Sequence, residues 1–467
     1  MQTEMEEMLP PKLTKNQNFS IEGLFGYKDV SIDFDDNVKI IVSENGAGKT
    51  TILSCLYDLL TGDYESLLKI NFNAISIKFE SRKETFHFEK ALIRSYCQYL
   101  LSSRDDDSSI SSLVRRVIST EELEKLASKD ITKRDIDNLY EKYQDRIHLP
   151  KSIWRQVLSS YIETGHKYKN FRDLHQFLQS TAYKFLYYPT YRRIEEDFRN
   201  ILKEKRLGHR SISSRIELSE YFDNTMIKFG MKDVQEKIDK IIDEIKQSSV
   251  TGFATVSGSM ITKLLENNSE SEESQNFNEA EVSIVLSRVG NNMSDEDKKK
   301  IMNQISTDPD LSEQSPFLRY FLSQLLLVYK NQRKLDVAIK SFVEVCNKYL
   351  EKKRFVYDES DVTLRIVRTV GEDLFEGNDS KIKLENLSSG EKQIVSIFSQ
   401  LYLEYEKKFV ILFDEPELSL SLFWQQELLP DIMKSDKCVF MLSVTHSPFI
   451  YDNELQNNAV ALSTYTK

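Results

Sequence analysis

The chain has 467 residues, of which 40% are hydrophobic and 29% charged, and this composition excludes disorder of the whole chain. The formal net charge of -11 excludes a uniformly basic surface for nucleic acid, although a local basic groove stays compatible with it. The four cysteines share no C-x-x-C spacing, which argues against a disulfide framework and a cysteine-based zinc site.

The N-terminal stretch "MQTEMEEMLPPKLTK" is acidic and contains no apolar segment of signal-peptide length. The most apolar run, "YFLSQLLLVY", is too short to cross a bilayer. We therefore expect a cytoplasmic protein with no membrane partner.

Short β-rich runs dominate residues 19–79, among them "FSIEGLF", "VSIDF", "VKIIVSE" and "AISIKF". One helix interrupts them, beginning at the loop 46–51 and continuing through "ILSCLYDLL". Gly62 is well placed to end that helix, because glycine readily adopts the left-handed conformation after a helix.

The segment "KIIVSENGAGKTTIL" matches the phosphate-binding pattern G-x-x-x-x-G-K-[ST] except that Ser43 replaces the first glycine. A strand precedes the loop and a helix follows it, which favours a working nucleotide site over a decayed site or a chance match. Lys49 is expected to bind the β- and γ-phosphates of ATP, and the Thr50 hydroxyl to bind Mg²⁺. The predicted ATP-binding residues of the loop are Asn45, Gly46, Ala47, Gly48, Lys49, Thr50 and Thr51.

The middle of the chain reads as mainly helical, with a short buried strand, "KFLYYP", at 184–189. In "VQEKIDKIIDEI" the apolar residues recur at helical spacing, which is typical of packed helices rather than of binding sites. Residues 266–281 are acidic and low in complexity, which predicts a solvated loop.

Two basic stretches leave alternatives open. Residues 201–215 concentrate lysine and arginine, which fits either a solvated helix face or a contact with nucleic acid. In "PTYRRIEE", Tyr191, Arg192 and Arg193 follow the predicted strand, and an arginine there would bind either a phosphate or a neighbouring carboxylate.

Two apolar strands near the C-terminus end in polar residues. "KKFVILFDEPELSL" predicts a buried parallel strand that delivers Asp414 and Glu415 to the edge of a sheet. We expect Asp414 to hold Mg²⁺ and Glu415 to act as the general base, the alternative being a solvated acidic turn. "CVFMLSVTHSPFI" predicts an adjacent strand that places His446 where it would sense the γ-phosphate.

The segment "ENLSSGEKQIVSIFSQLYL" resembles the signature motif of ATP-binding-cassette ATPases, in the form found in heads of the SMC, Rad50, RecF and OLD type. The resemblance covers residues 18–90 and 355–460. It implies that Ser388, Ser389 and Gly390 of one subunit complete the ATP site of another, so the minimum unit is a homo-oligomer with a dimer of heads. Ser421 departs from the family, which usually has aspartate or histidine there.

Whole phrases of the chain also look like the PtuA-type ATPases of Septu and retron-linked antiphage systems. These phrases are "IEGLFGYKDVSIDF", "YYPTYRRIEEDF", "LSSGEKQIVSIFSQLYLEY" and "FDEPELSLSLFWQQELLPDI". The resemblance implies a separate HNH nuclease, PtuB, as partner, and nucleic acid, either a retron DNA-RNA hybrid or target DNA, as a further ligand.

These observations predict an α/β fold: an ABC-type ATPase head with a mixed sheet and a P-loop core, interrupted by a mainly α-helical insertion. The expected parts are the N-terminal lobe of the head at 15–90, a helical insertion at 91–180, a return strand and loop at 181–195, a helical arm at 196–350 and the C-terminal lobe at 351–467.

Three functions are compatible with this arrangement. A nucleotide-controlled regulator of a nuclease in phage defence is favoured over an SMC- or RecF-like DNA maintenance ATPase. A self-contained nuclease is disfavoured, because only a short tail follows His446 and the histidines are scattered.

Overall fold

The computed structural model describes residues 17–44, 46–80, 82, 84–104, 118, 133–143, 150–189, 231–266, 277–307, 316–370, 373–374 and 381–467. Asn45, the Tyr191 to Arg193 segment, the basic stretch 201–215 and residues 267–276 of the acidic loop lie outside these ranges. The chain divides into two compact units. The first contains residues 1–226, 408–417 and 438–467, and the second contains residues 227–407 and 418–437.

The described strands are, in chain order, β1 Gln17–Leu24, β2 Lys28–Phe34, β3 Val38–Val42, β4 Ala74–Lys78, β5 Thr85–Glu89, β6 Tyr183–Tyr188, β7 Lys353–Asp358, β8 Thr363–Val370, β9 Asp373–Leu374, β10 Lys381–Ile382, β11 Lys408–Asp414, β12 Cys438–Thr445 and β13 Ala459–Ala461. The described α-helices are α1 Lys49–Thr61, α2 Tyr64–Lys69, α3 Lys90–Arg104, α4 Lys133–Tyr143, α5 Lys151–Lys167, α6 Lys169–Ser180, α7 Met231–Glu266, α8 Glu279–Arg288, α9 Asp295–Thr307, α10 Pro316–Asn347, α11 Ser389–Leu403 and α12 Leu422–Lys434.

A five-stranded sheet with the order β13-β3-β12-β11-β6 forms the centre of the first unit. All its neighbouring strands are parallel, and Asp414 of β11 lies beside Val444 of β12, while Thr445 lies beside Val42 of β3. The apolar residues of β11 and most of those of β12 are buried, as expected for central strands of a parallel sheet. The carboxyl ends of β3, β11 and β12 therefore meet at one edge, which is where a doubly wound sheet binds its ligands.

A separate antiparallel sheet with the order β2-β1-β4-β5 completes the β structure described in the first unit. Its alternating apolar residues, such as Phe19 and Ile21 of β1, are fully buried and share one hydrophobic core with α1 and α6. The helix α1 ends where the sequence predicts, since Gly62 adopts a φ of 77° and its N–H donates to the Asp58 carbonyl.

The second unit is built on two long helices, α7 and α10, with 36 and 32 residues. The predicted apolar stripe of α7 is buried, with Val234, Ile238 and Ile245 at most 4% exposed. A buried ion pair, Arg288 to Asp336, joins α8 to α10 with 2.7 Å between Nη2 and Oδ1. A small antiparallel sheet, ordered β10-β8-β7, with β9 also paired to β8, belongs to the same unit.

The predicted fold class is confirmed: a P-loop core containing a parallel sheet is interrupted by a mainly helical insertion. The parallel and antiparallel strands of the described residues occupy separate sheets and do not form one mixed sheet. The predicted solvated loop at 266–281 is wrong at both ends, since Glu266 is the last residue of α7 and residues 279–281 begin α8. Asn278 caps that helix, accepting hydrogen bonds from the backbone N–H groups of Ala280 and Glu281. The predicted boundaries of the domains stay a prediction.

Candidate nucleotide site

The loop between β3 and α1 depends on glycine at two described positions. Gly46 and Gly48 adopt φ values of 82° and 88°, in the left-handed region that disfavours residues with a Cβ. A Cβ on Gly46 would meet no atom within 4 Å, whereas a Cβ on Gly48 would lie 2.9 Å from Cε2 of Phe25. Ala47 is held from outside the loop, because its carbonyl accepts a hydrogen bond of 3.0 Å from Nζ of Lys28.

Ser43 takes the place of the first glycine of the pattern without backbone strain. Its φ is not among the positive φ values of the described residues, so its Cβ is tolerated. Its hydroxyl lies 3.4 Å from the Glu44 carbonyl oxygen. The departure from the motif therefore introduces no backbone strain at position 43.

Lys49 begins α1 and is only 6% exposed. Its Nζ donates to the carbonyl oxygens of Ser43, at 2.8 Å, and Glu44, at 3.4 Å, and also contacts the ring of His446. Burial lowers the pKa of Lys49, and the carboxylates of Glu415, Asp414 and Glu417 act in the opposite direction. Two carbonyl oxygens of the loop thus hold the buried Nζ of Lys49 in place. The oxygens of a bound phosphate would replace these carbonyls as hydrogen-bond acceptors.

The acidic pair follows β11 at the same edge of the sheet. Asp414 is 2% exposed, and its Oδ2 accepts a hydrogen bond of 2.7 Å from the Thr50 hydroxyl. Glu415 has a φ of 53°, and its N–H donates to the Val444 carbonyl at 2.8 Å. A non-glycine residue in this conformation costs about 1–3 kcal/mol, and such strain is concentrated at functional sites.

His446 follows β12 and lies between the lysine and the acidic pair. Its Nε2 is 3.3 Å from Oε1 of Glu415. The backbone N–H groups of His446 and Ser447 both donate to Oε1 of Glu417, at 2.8 and 3.1 Å. Glu417 therefore fixes the segment that carries the histidine.

Sequence reasoning missed Glu417, Lys28 and Phe25 as parts of this site. Glu417 stands in the acidic segment "DEPE", so its proximity to Asp414 was a signal. The roles of Lys28 and Phe25 depend on the close approach of the β1–β2 turn to the loop, which no local pattern reports.

The donor atoms at this edge fit Mg²⁺ together with a phosphate. Hydroxyl and carboxylate oxygens, supplied by Thr50 and Asp414, are the hard ligands that Mg²⁺ prefers. In the part of the chain that is described, no group of three or more His, Cys, Asp or Glu residues could hold a metal ion. A magnesium ion held by Thr50 and Asp414 would therefore take its remaining ligands from phosphate oxygens and water.

The signature residues Ser388, Ser389 and Gly390 lie in the second unit, at the start of α11. Ser388 and Glu391 form a capping box: the Ser388 hydroxyl accepts from the Glu391 N–H, and Oε2 of Glu391 accepts from the Ser388 N–H at 2.8 Å. A Cβ on Gly390 would lie 2.4 Å from the Ser419 carbonyl oxygen. Packing alone therefore requires glycine there.

Ser421 caps α12, its hydroxyl accepting from the Trp424 N–H.

Replacing Gly48 by alanine is expected to lower the free energy of unfolding more than replacing Gly46. Both changes place a Cβ at positive φ, at a cost of about 1–3 kcal/mol, but only the Cβ added in Gly48→Ala would also meet the Phe25 ring. Urea unfolding of both variants, with and without Phe25→Ala, measures the difference. Equal losses, or no relief of Gly48→Ala by Phe25→Ala, would contradict the contact.

Comparison with protein families agrees with this geometry. The family model AAA_15, described as an AAA ATPase domain, matches residues 17–451. The chain belongs to the AAA_15 family. Membership implies nucleotide binding, and the matched range includes the loop of Lys49, the acidic pair and His446. The search of curated proteins finds no match.

Several solved structures are similar to the AAA_15 chain over most of its length. The Smc head domain of Pyrococcus furiosus, with an extended coiled coil and bound to the C-terminal domain of ScpA, is 13% identical, with a TM-score of 0.34, and the match covers 96% of this chain and 93% of that chain. A SmcHead bound to the C-winged helix domain of ScpA is 12% identical, with a TM-score of 0.34 and the same coverage. The Smc head domain of Pyrococcus yayanosii, with a coiled coil and joint, is 12% identical, with a TM-score of 0.30 and coverage of 96% and 94%. Among the described helices, none has the length and apolarity of a membrane span.

Proposed function

We propose that the chain binds ATP with Mg²⁺ on the loop of Lys49 and hydrolyses it to ADP and phosphate. The observation that carries the proposal is the convergence of a buried lysine, a hydroxyl-carboxylate pair, a second carboxylate and a histidine at one edge of a parallel sheet. Within the proposal, the loop N–H groups and Lys49 bind the phosphates, and Thr50 and Asp414 hold the metal, which neutralises phosphate charge when bound.

Glu415 is the general base of the proposed reaction. Its side chain is 22% exposed, so a water molecule can reach it, while its backbone is anchored to Val444. It accepts a proton from the attacking water. His446, 29% exposed and anchored through Glu417, lies beside it to contact the terminal phosphate.

The signature segment extends the proposal to a dimer of ABC-type heads. The capping box fixes the first turn of α11, and the N-terminus of a 15-residue helix carries a partial positive charge suited to phosphate. Ser388, Ser389 and Gly390 would contact the ATP bound to Lys49 of a second copy. This arrangement makes ATP part of the contact between two chains.

At the level of the organism, we propose that this ATPase is the PtuA-like subunit of an antiphage complex that controls a separate HNH nuclease. Support comes from the phrases of the sequence that resemble that group, including "LSSGEKQIVSIFSQLYLEY" and "FDEPELSLSLFWQQELLPDI". Nucleic acid, either a retron DNA-RNA hybrid or target DNA, is a further proposed ligand.

Affinity capture from the native host tests this role. The tagged wild-type chain is expected to retain an HNH nuclease in a fixed ratio. Lys49→Ala is the matched control that shows whether this retention depends on bound nucleotide. Capture of DNA repair proteins without any nuclease of this class would instead favour an SMC- or RecF-like maintenance ATPase and overturn the antiphage assignment.

A further inference from the structure

A cavity in the second unit concentrates positive charge in an otherwise acidic protein. It has a volume of about 620 Å³, and its described lining consists of four cationic side chains and one carboxylate, together with uncharged residues that include Asn386. The charged residues are Lys352, Lys353, Arg368, Lys381 and Glu351. The chain as a whole carries a formal charge of -11, so the charge of this local cluster is opposite in sign to the net charge of the chain.

The strands β7, β8 and β10 bring these cations together. In the antiparallel register Lys353 lies directly opposite Arg368, so the two side chains share a face of the sheet. Like charges at such positions destabilise a sheet unless an anion compensates them, and among the described residues an ion pair compensates Lys353 but not Arg368. Lys352 adopts a φ of 57°, and its carbonyl accepts from the Thr369 N–H at 2.9 Å, which fixes its backbone beside the pair.

Only one of the four cations forms an ion pair with a described residue. Nζ of Lys353 lies 2.8 Å from Oε2 of Glu391, whereas no ion pair of the described residues involves Lys352, Arg368 or Lys381. Glu391 is 4% exposed, and the same oxygen accepts the Ser388 N–H of the capping box. Lys353 therefore connects the cavity to the start of the signature helix.

We propose that this cavity binds a small phosphate-bearing ligand, such as pyrophosphate or a nucleotide. Arginine offers paired N–H donors to phosphate oxygens, and lysine offers a compact charge. A volume of this size is typical of sites for small molecules, which favours a compact phosphate group over an extended polyanion such as duplex DNA. The ligand would compete with Glu391 for Lys353. Its binding would therefore affect the capping box that Ser388 and Glu391 form.

Isothermal titration of the full-length Lys49→Ala protein with inorganic pyrophosphate tests the binding. The Lys49→Ala change removes the phosphate-binding lysine of the loop, so the remaining heat reports the cavity. Adding Lys352→Ala and Arg368→Ala is expected to weaken binding at least tenfold. Adding Arg333→Ala and Lys334→Ala removes the same charge from exposed positions on α10 and is expected to change the affinity less than twofold.

Absence of binding, or equal weakening by the two pairs, would overturn the proposal. Tighter binding of a duplex DNA oligonucleotide that depends on Lys352 and Arg368 would overturn the restriction to small ligands. Circular dichroism checks that each variant is folded, and glutamine replaces alanine at the same positions where alanine unfolds the protein. Because the assay measures pyrophosphate binding without ATP turnover, its outcome does not depend on whether the proposed ATPase activity exists. Only the proposed effect on the capping box of the signature helix rests on the proposed function.

Discussion

Replacing Lys49 by alanine is expected to weaken ATP binding by at least roughly 30-fold. The change removes a buried Nζ that donates hydrogen bonds to the carbonyl oxygens of Ser43 and Glu44. When ATP is bound, this Nζ would donate to the phosphates instead. Removing one partner of a buried, hydrogen-bonded charge pair costs about 2–5 kcal/mol, which lowers the affinity by roughly 30-fold or more. Calorimetric titration with ATP and Mg²⁺ measures the loss directly.

Lys39 provides the matched control for this experiment. It is also 6% exposed, but it lies on β3 beside Asp35, with 3.6 Å between Nζ and Oδ2, and outside the loop. Lys39→Ala should change the ATP affinity by less than about threefold, because it removes no phosphate contact. A wild-type protein that fails to bind ATP would show that the site has decayed, and ATP binding by Lys49→Ala at wild-type strength would place the nucleotide elsewhere.

Replacing Glu415 by glutamine is expected to slow ATP hydrolysis about 10²- to 10⁴-fold while leaving ATP affinity within a few fold. Glutamine has the size of glutamate but cannot accept the proton of the attacking water. Because Lys49, Thr50 and Asp414 are unchanged, binding persists and ATP accumulates on the protein. Phosphate release under single-turnover conditions separates the two effects.

Glu417→Gln is the companion to this variant. Its amide oxygen can still accept from the N–H groups of His446 and Ser447, so the segment that carries the histidine keeps its anchor. Turnover should therefore fall much less than in Glu415→Gln. Unchanged turnover in Glu415→Gln, or an equal loss in both variants, would remove Glu415 from the role of base.

The elements that carry the proposed site could be predicted because each follows a local pattern. The buried runs of β11 and β12 are nearly continuous in apolar residues, and the loop of Lys49 stands between a strand and a helix. The adjacency of β11 and β12 was also predicted and is confirmed, whereas the position of β12 between β3 and β11 was not predicted. The assignment of roles to Lys49, Asp414, Glu415 and His446 stays a prediction that the variants above test.

The contacts that could not be predicted join residues far apart in the chain. Lys353 and Glu391 are 38 residues apart, and neither strand nor helix pattern signals that they meet. The Phe25 ring approaches Gly48 through the β1–β2 turn, which the sequence shows only as a glycine-rich turn. For Gly390 the family resemblance implied a phosphate contact alone, whereas the Ser419 carbonyl supplies a packing reason for the same residue.

The central claim, that ATP is bound and hydrolysed between two copies of this chain, is tested most directly by the mass of the protein in solution. Light scattering of Glu415→Gln with ATP and Mg²⁺ is expected to give at least twice the 54.6 kDa of one chain, because unhydrolysed ATP holds the heads together. Lys49→Ala under the same conditions should lack this increase. A wild-type protein that stays at 54.6 kDa while it hydrolyses ATP at full rate would contradict the shared site.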